Sequence, residues 1–160
     1  MKQLEPRTVT VGENTYYIRP LPAFKAANMS GELASLVLPM LGGLAPMLDS
    51  VGDDKGLMDI DIGEAAPAIS GAFSAISGDR LEETLRHLLI TGKNISVETP
   101  ESEKATLLTE DLANEIFCEE VQDMFLLAFE VIRTNYNGFF KKLASQFGPA
   151  TEKLTKLAAR

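Results

Sequence analysis

The side chains that most often carry enzyme chemistry are scarce in this sequence, which has one histidine, His87, and one cysteine, Cys118. Glu83 lies four residues before His87, whereas a di-metal helical bundle uses Glu-x-x-His and needs it from two helices. A Cys118 nucleophile would need His87 as its base, and a thiol between Phe117 and Glu119 on a predicted helix is typical of core packing. We therefore predict a surface or half-buried His87 beside leucines and a buried, unreactive Cys118.

Closely spaced carboxylates occur in the segments GDDKG and DIDIGE, between Asp49 and Glu64. A calcium loop would need its third ligand where Gly63 stands and a glutamate at its twelfth position, which is missing. The sequence also contains no glycine-rich phosphate loop, no G-x-S-x-G elbow and no H-E-x-x-H motif. These patterns predict a non-catalytic protein with no metal site and no cofactor.

Length and composition indicate one globular domain, because the chain has 160 residues, of which 45% are hydrophobic. The N-terminal segment MKQLEPRTVTV lacks the apolar core of a signal peptide. The longest uncharged run, from Leu33 to Leu48, is shorter than the roughly 20 residues that span a bilayer. With a single cysteine, these features favour a protein of the reducing cytosol that has no membrane span.

The net charge of −8 is unevenly distributed. Residues 49–130 contain 19 acidic and 5 basic residues, a net charge of −14, whereas residues 131–160 contain 6 basic residues and one acidic residue, a net charge of +5. An acidic body with a basic tail favours head-to-tail self-association or an acidic partner. The tail is too sparse in basic residues to indicate nucleic-acid binding.

The segment TVTVGENTYYIRP predicts a β-hairpin over residues 7–19, because Val9, Val11, Tyr16 and Ile18 alternate with polar residues on either side of a turn sequence. The segment NISVET could add a third short strand. A lone hairpin is marginal in water, so it must pack on the helices or pair with another chain.

Four helical periodicities follow the hairpin. An apolar helix begins near Pro22 and runs towards Leu48, with a kink or break expected between Ser35 and Pro39. After a mobile acidic loop over residues 49–64, a small-residue helix is predicted from Ala65 to Ser77. The next helix should begin with Asp79 as N-cap, with Glu82 completing a capping box, and end near Gly92.

Thr109 is predicted to cap another helix, and apolar residues recur at helical spacing from Val121 onwards. Gly138 marks a bend, and Gly148 with Pro149 forms a stop signal. The predicted fold is therefore mainly α, with a small N-terminal β-hairpin and a possible third strand. It comprises one domain over residues 1–148 and a basic tail over residues 149–160.

The segment from Glu130 to Pro149, EVIRTNYNGFFKKLASQFGP, combines aromatic and basic side chains. Adjacent helical residues point about 100° apart, so Phe139 and Phe140 can both be buried only if the helix has neighbours on two sides. We expect one ring to contact a partner. The predicted partner-binding set comprises this segment and the first long helix: Tyr136, Phe139, Phe140, Lys141, Lys142, Phe147, Leu36, Met40, Leu44 and Met47.

Three stretches carry a family resemblance: YYIRPLPAFKA after the first strands, GELASLVLPML, and AFEVIRTNYNGFFKKLASQFG near the end. Together they resemble the tail assembly chaperones of long-tailed, siphovirus-like bacteriophages and prophages. The resemblance spans most of the chain and rests on an Arg-Pro after a short strand and an Asn-aromatic-x-x-Phe-Phe element.

This resemblance implies a largely helical, non-enzymatic protein that acts in the host bacterial cytoplasm and is absent from the mature virion. It implies two partners, the tape measure protein and the tail tube protein, and methionine-rich helices could line an adaptable groove for the first. Two alternatives stay open: a structural or connector protein of the virion tail, and a small membrane-surface protein that uses Leu33 to Leu48 as an interfacial helix.

Overall fold

The computed structural model describes residues 5–33 and 61–136 of the chain. Within them lie four strands, β1 (Arg7–Val11), β2 (Asn14–Ile18), β3 (Ile95–Glu98) and β4 (Thr106–Leu107). Five helical elements accompany them: α1 (residues 23–33), α2 (Ile62–Ser74), α3 (Gly78–Arg86), α4 (Glu110–Ile116) and α5 (residues 121–136). The fold is mainly helical, as the sequence predicts.

The strands form one antiparallel sheet in the order β1-β2-β3-β4. The predicted hairpin is confirmed, with Val11 opposite Asn14 across a two-residue turn in which Gly12 has φ +62°. The third strand is also present and pairs Ile95 with Ile18. The sequence prediction missed β4, because its two residues are both exposed and show no alternation of apolar and polar side chains.

Two helix starts differ from the prediction. Helix α2 begins at Ile62, not Ala65, because the Asp61 side chain accepts a hydrogen bond from the Gly63 N–H at 2.7 Å and caps the helix there. Helix α3 begins at Gly78 after an extended Ser77, so Asp79 lies in the first turn and is not the N-cap. A π-helical segment, His87–Thr91, extends α3 to Gly92.

Helix α4 is capped as predicted, since the Thr109 hydroxyl accepts from the Leu112 N–H at 3.3 Å. It ends at Ile116, and a turn follows in which Glu119 has φ +68°. The prediction that Cys118 is buried is therefore wrong. Phe117 takes the inward position, and the turn leaves the Cys118 thiol exposed.

Helix α5 is the central element, with seven buried apolar residues that lie on several of its faces: Phe125, Leu127, Ala128, Phe129, Val131, Ile132 and Tyr136. Both ends of β1 lie next to α5. A Cβ atom at Gly12, just after β1, would lie 2.6 Å from Oδ2 of Asp123, and Arg7, at the start of β1, donates to the Thr134 hydroxyl. The eleven-residue step from Asp123 to Thr134 and the five-residue step from Arg7 to Gly12 each span about 16 Å. Helix α5 thus lies along β1 and runs antiparallel to it.

Four sequence predictions fall outside the described residues. They are the kink between Ser35 and Pro39, most of the acidic loop over 49–64, the bend at Gly138 and the basic tail over 149–160.

Candidate interaction surface

Tyr136 is the one predicted partner-binding residue within the described part of the chain, and it lies in the core with 5% of its surface exposed. Its phenol O–H donates to the Ala26 carbonyl at 2.9 Å, and burial raises the pKa of Tyr136 to about 12. Tyr136 thus joins α5 to α1. The other predicted residues lie outside the described ranges: Leu36, Met40, Leu44, Met47, Phe139, Phe140, Lys141, Lys142 and Phe147.

The first turn of α1 is fixed by two further contacts. The Asn135 side chain accepts from the Leu21 N–H at 2.6 Å and donates to the Val131 carbonyl at 2.9 Å. The Lys25 ammonium donates to the Thr91 carbonyl at 2.7 Å. These bonds connect the start of α1 to both α5 and the end of the π-helical segment, so its orientation is determined by the fold.

Phe24 lies on this fixed turn and has 92% of its surface exposed. Helix α1 places Met29 and Leu33 in the core, with the buried Leu21 just before it, and Phe24 points away from that side. An exposed aromatic ring on a rigid turn loses little conformational entropy on binding, which is what an interface anchor needs. Phe24 is not in the partner-binding set predicted from the sequence.

The segments next to Phe24 carry basic residues. The Arg19 N–H donates to the Asn94 carbonyl at 2.8 Å, and the Asn94 side-chain amide donates to the Arg19 carbonyl at 2.9 Å. These bonds bring the exposed Lys93 next to the 19–25 segment. The segments 14–31 and 84–97 contain no acidic residue. This pattern is the feature of the sequence from which a basic surface could have been predicted. We call this surface the basic corner: Arg19, Phe24, Lys25 and Lys93.

The opposite end of β2 carries the opposite charge. A Cβ atom at Gly12, in the turn before β2, would lie 2.6 Å from Oδ2 of Asp123, so the start of α5 lies at this end of the sheet. Residues 110–123 contain six acidic residues and no basic residue. Val121 is 52% exposed among them. We call this surface the acidic end and define it by four exposed residues: Glu115, Glu119, Glu120 and Val121.

Arg133 does not belong to an exposed basic tail, although the sequence analysis counted it there. It is buried in α5, and its guanidinium binds the equally buried Glu130 carboxylate through Nε at 2.6 Å and through Nη2. Arg7 of β1 approaches the same carboxylate at 3.2 Å. These charges stabilise the contact between β1 and α5, and those of Glu130 and Arg133 are buried.

The described residues contain no group of three metal-ligating side chains. His87 is partly exposed, as predicted, and its Nδ1 lies 3.5 Å from the Glu32 carboxylate of α1. The Thr84 hydroxyl donates to the same carboxylate at 3.3 Å. The interactions of His87 therefore contribute to the packing of α1 on α3. Among the helices of the described ranges, none is long and apolar enough to cross a membrane.

Comparison with known families assigns the chain. Residues 12–148 match the family described as phage tail assembly chaperone protein, TAC. The chain belongs to this family. No curated protein and no solved structure gives a significant match.

A tail assembly chaperone acts on proteins of the phage tail, so its functional sites are protein-binding surfaces. The described part of this chaperone offers two such surfaces, the basic corner and the acidic end. The aromatic segment predicted to bind a partner, residues 130–149, is largely buried as far as Tyr136, and its other residues lie outside the described ranges.

Proposed function

We propose that this chaperone binds and shields the tape measure protein in the host cytoplasm, helps to recruit tail tube subunits, and is absent from the finished virion. The family match over residues 12–148 carries the proposal, since it assigns the chain to tail assembly. A tape measure protein is a long, largely helical chain whose apolar stripes need protection before the tube encloses them. Weak contacts from many copies would add through multivalency and still allow release.

The residues that we propose for this contact exclude Tyr136, because its ring is buried and its hydroxyl is bonded to Ala26. They comprise two segments that directly follow the described parts of α1 and α5. The first continues from α1, and its proposed contact residues are Leu36, Met40, Leu44 and Met47. The second continues from α5 and supplies Phe139, Phe140, Lys141, Lys142 and Phe147.

The contacts of Asn135 and Tyr136 support this choice. They connect the end of the described part of α5 to the start of α1, through Leu21 and Ala26. The fold therefore uses the polar atoms of residues 135 and 136 internally. The aromatic residues that come next in the sequence, Phe139 and Phe140, are the ones that we assign to the partner, and the adjacent lysines would orient it.

The test is co-purification of the chain with a tape measure fragment from the same phage, with parent, Phe139→Ala and Phe140→Ala compared. If one ring anchors the partner, its removal should leave the melting temperature unchanged and weaken binding by roughly 2 kcal/mol or more. Leu107→Ala is the control, because it removes an exposed apolar side chain outside the proposed contact. Unchanged binding in both phenylalanine variants, or a large loss of stability in both, would contradict the proposed contact.

Absence from the virion has a separate test. Mass spectrometry of purified phage particles should detect the tape measure and tail tube proteins and not this chain. Stoichiometric amounts of the chain in particles would instead support a structural or connector role.

A further inference from the structure

We propose that the outer edge of strand β1 binds an extended segment of another tail protein, which pairs with β1 as a further strand of the sheet. The proposal goes beyond the proposed function, because this edge is separate from the segments after α1 and α5 that we assign to the tape measure protein. It rests on the backbone of Thr8 and Thr10 and on the side chains around them.

The pairing of β2 with its two neighbours determines which backbone groups of β1 point outward. In an antiparallel pair, residues that bond the neighbouring strand alternate with residues whose N–H and C=O point to the other side. The Arg19 N–H donates to the Asn94 carbonyl, so Arg19 and every second residue before it bond in the direction of β3. The residues between them bond in the direction of β1, which makes Tyr16 and Val9 a hydrogen-bonded pair.

Thr8 and Thr10 lie on either side of Val9, so their N–H and C=O groups point away from β2. Strand β1 is the first strand in the sheet order, and no described residue forms a hydrogen bond with these backbone groups. Two N–H and two C=O groups therefore form a row that repeats every 7 Å or so, about the length of two strand residues. The backbone of another extended chain presents donors and acceptors at this same spacing.

Strand β1 lacks the features that protect sheet edges. Natural edge strands are often short, bulged or supplied with lysine or proline, which prevents pairing with other chains. Strand β1 has five residues, pairs with β2 without a bulge and contains no lysine or proline. Strand β4, at the other edge of the described sheet, has only two residues. The edge of β1 is therefore the one on which a partner strand can form a regular pair.

The two faces of β1 determine the side chains that the partner needs. Val9 and Val11 are buried, whereas Thr8 and Thr10 are exposed on the opposite face. An added strand would place alternate side chains on these two faces. Those on the valine side would extend the core and should be apolar, and those on the threonine side should be polar.

Exposed carboxylates flank the edge. Glu5 precedes β1, and Glu13 lies in the turn after it. The basic residue of the strand, Arg7, is paired with the buried Glu130. Basic residues at the ends of the partner segment would therefore complement the edge. The expected partner is an extended segment with alternating apolar and polar residues and basic ends.

The first experiment measures amide hydrogen exchange of the full chain by NMR. We expect the amides of Thr8 and Thr10 to exchange fast and those of Val9 and Val11 to be protected, because only the valine amides bond β2. Protection of the threonine amides in the dilute, free chain would overturn the proposal, since another part of the chain would then cover the edge. Protection that appears as the chain is concentrated would assign the edge to a second copy and would also overturn it.

The second experiment screens overlapping synthetic peptides from the tape measure and tail tube proteins of the same phage for binding to the full chain. Bound peptides should show the expected alternation and protect the amides of Thr8 and Thr10 from exchange. N-methylation of the peptide amides that face β1 should abolish binding, whereas N-methylation of the alternate amides should not. The proposal is wrong if no peptide binds, or if both methylated series bind equally.

The third experiment changes the edge itself. Thr10→Pro removes one outward N–H and no bond to β2, and proline is tolerated at such positions of edge strands. This variant should bind the peptide about tenfold more weakly. Thr10→Val is the matched control, because it keeps the N–H and the β-branched shape, and circular dichroism checks that both variants are folded.

Equal peptide binding by the proline and valine variants would overturn the proposal. If the proline variant fails to fold, the N-methylated peptides test the same hydrogen bonds from the partner's side. Phe139→Ala and Phe140→Ala should bind the peptide like the parent. This proposal and the proposed function can therefore fail independently of each other.

Discussion

Glu130 and Arg133 form an ion pair inside helix α5, with Nε of Arg133 2.6 Å from Oε2 of Glu130 and both side chains almost fully buried. Arg7 of β1 lies 3.2 Å from the same carboxylate. Burial lowers the pKa of Arg7, and the Glu130 charge opposes this effect. One carboxylate thus binds two guanidinium groups and connects the first strand to the central helix.

We expect Glu130→Ala to lower the free energy of unfolding by about 3–5 kcal/mol, because two guanidinium groups would lose their shared buried carboxylate. The matched control is Glu82→Ala, which removes an exposed partner of Arg86 and should cost at most about 1 kcal/mol. Urea unfolding of both variants measures the difference. Equal costs would show that the buried network contributes no more than a surface pair.

Alkaline pH should destabilise the fold through two buried tyrosines. Burial raises the pKa of Tyr16 and of Tyr136 from 10.0 to about 12. A raised pKa means that the folded state favours the neutral phenol, so this contribution is complete below pH 10 and is lost as the pH rises towards 12. Between pH 10 and 12, the melting temperature should fall less for Tyr16→Phe and for Tyr136→Phe than for the parent.

At neutral pH, Tyr136→Phe should lower the free energy of unfolding by about 0.5–1.5 kcal/mol, because it removes the hydrogen bond to the Ala26 carbonyl. Tyr16→Phe should lower the free energy of unfolding by less, since no described residue forms a hydrogen bond of good geometry with its buried hydroxyl. Urea unfolding of the two variants measures both changes in the free energy of unfolding. A larger cost for Tyr16→Phe would contradict this assignment.

Gly12 should be the least replaceable residue of the hairpin. Its φ of +62° is unfavourable for other residues, and an added Cβ would lie 2.6 Å from Oδ2 of Asp123. We expect Gly12→Ala to destabilise the protein by about 1–2 kcal/mol. Gly71→Ala is the control, since Gly71 lies in helix α2 with open space around it. That change should stabilise the protein by roughly 0.5–1 kcal/mol, and thermal melting checks both.

Thr109 should contribute to stability as the N-cap of helix α4. Thr109→Ala removes the acceptor of the Leu112 N–H and should cost about 0.5–2 kcal/mol. Thr109→Ser keeps the hydroxyl and should retain most of the stability. If the alanine and serine variants unfold at the same urea concentration, the cap contributes nothing measurable.

Local patterns in the sequence determined the hairpin, its turn and the cap of α4. Alternating Val9, Val11, Tyr16 and Ile18 with a glycine in the turn leave one register that buries the apolar face, and this register is present. A threonine followed by Glu110 and Asp111 likewise specifies a helix start. Such features depend on residues close in sequence, so a single sequence is sufficient to predict them.

Tertiary structure decided the environments of Cys118, Tyr136, Arg133 and Phe24. The turn after α4 leaves the Cys118 thiol exposed. The Tyr136 hydroxyl bonds the Ala26 carbonyl, 110 residues away in sequence. Arg7 of the neighbouring strand β1 contacts the buried Glu130–Arg133 pair. Phe24 was left exposed because the contacts of Asn135 and Lys25 fix the orientation of its helix. The environments of Tyr136, Arg133 and Phe24 depend on elements distant in sequence. Composition and periodicity report which residues are apolar or charged, and only packing determines which of them reach the surface.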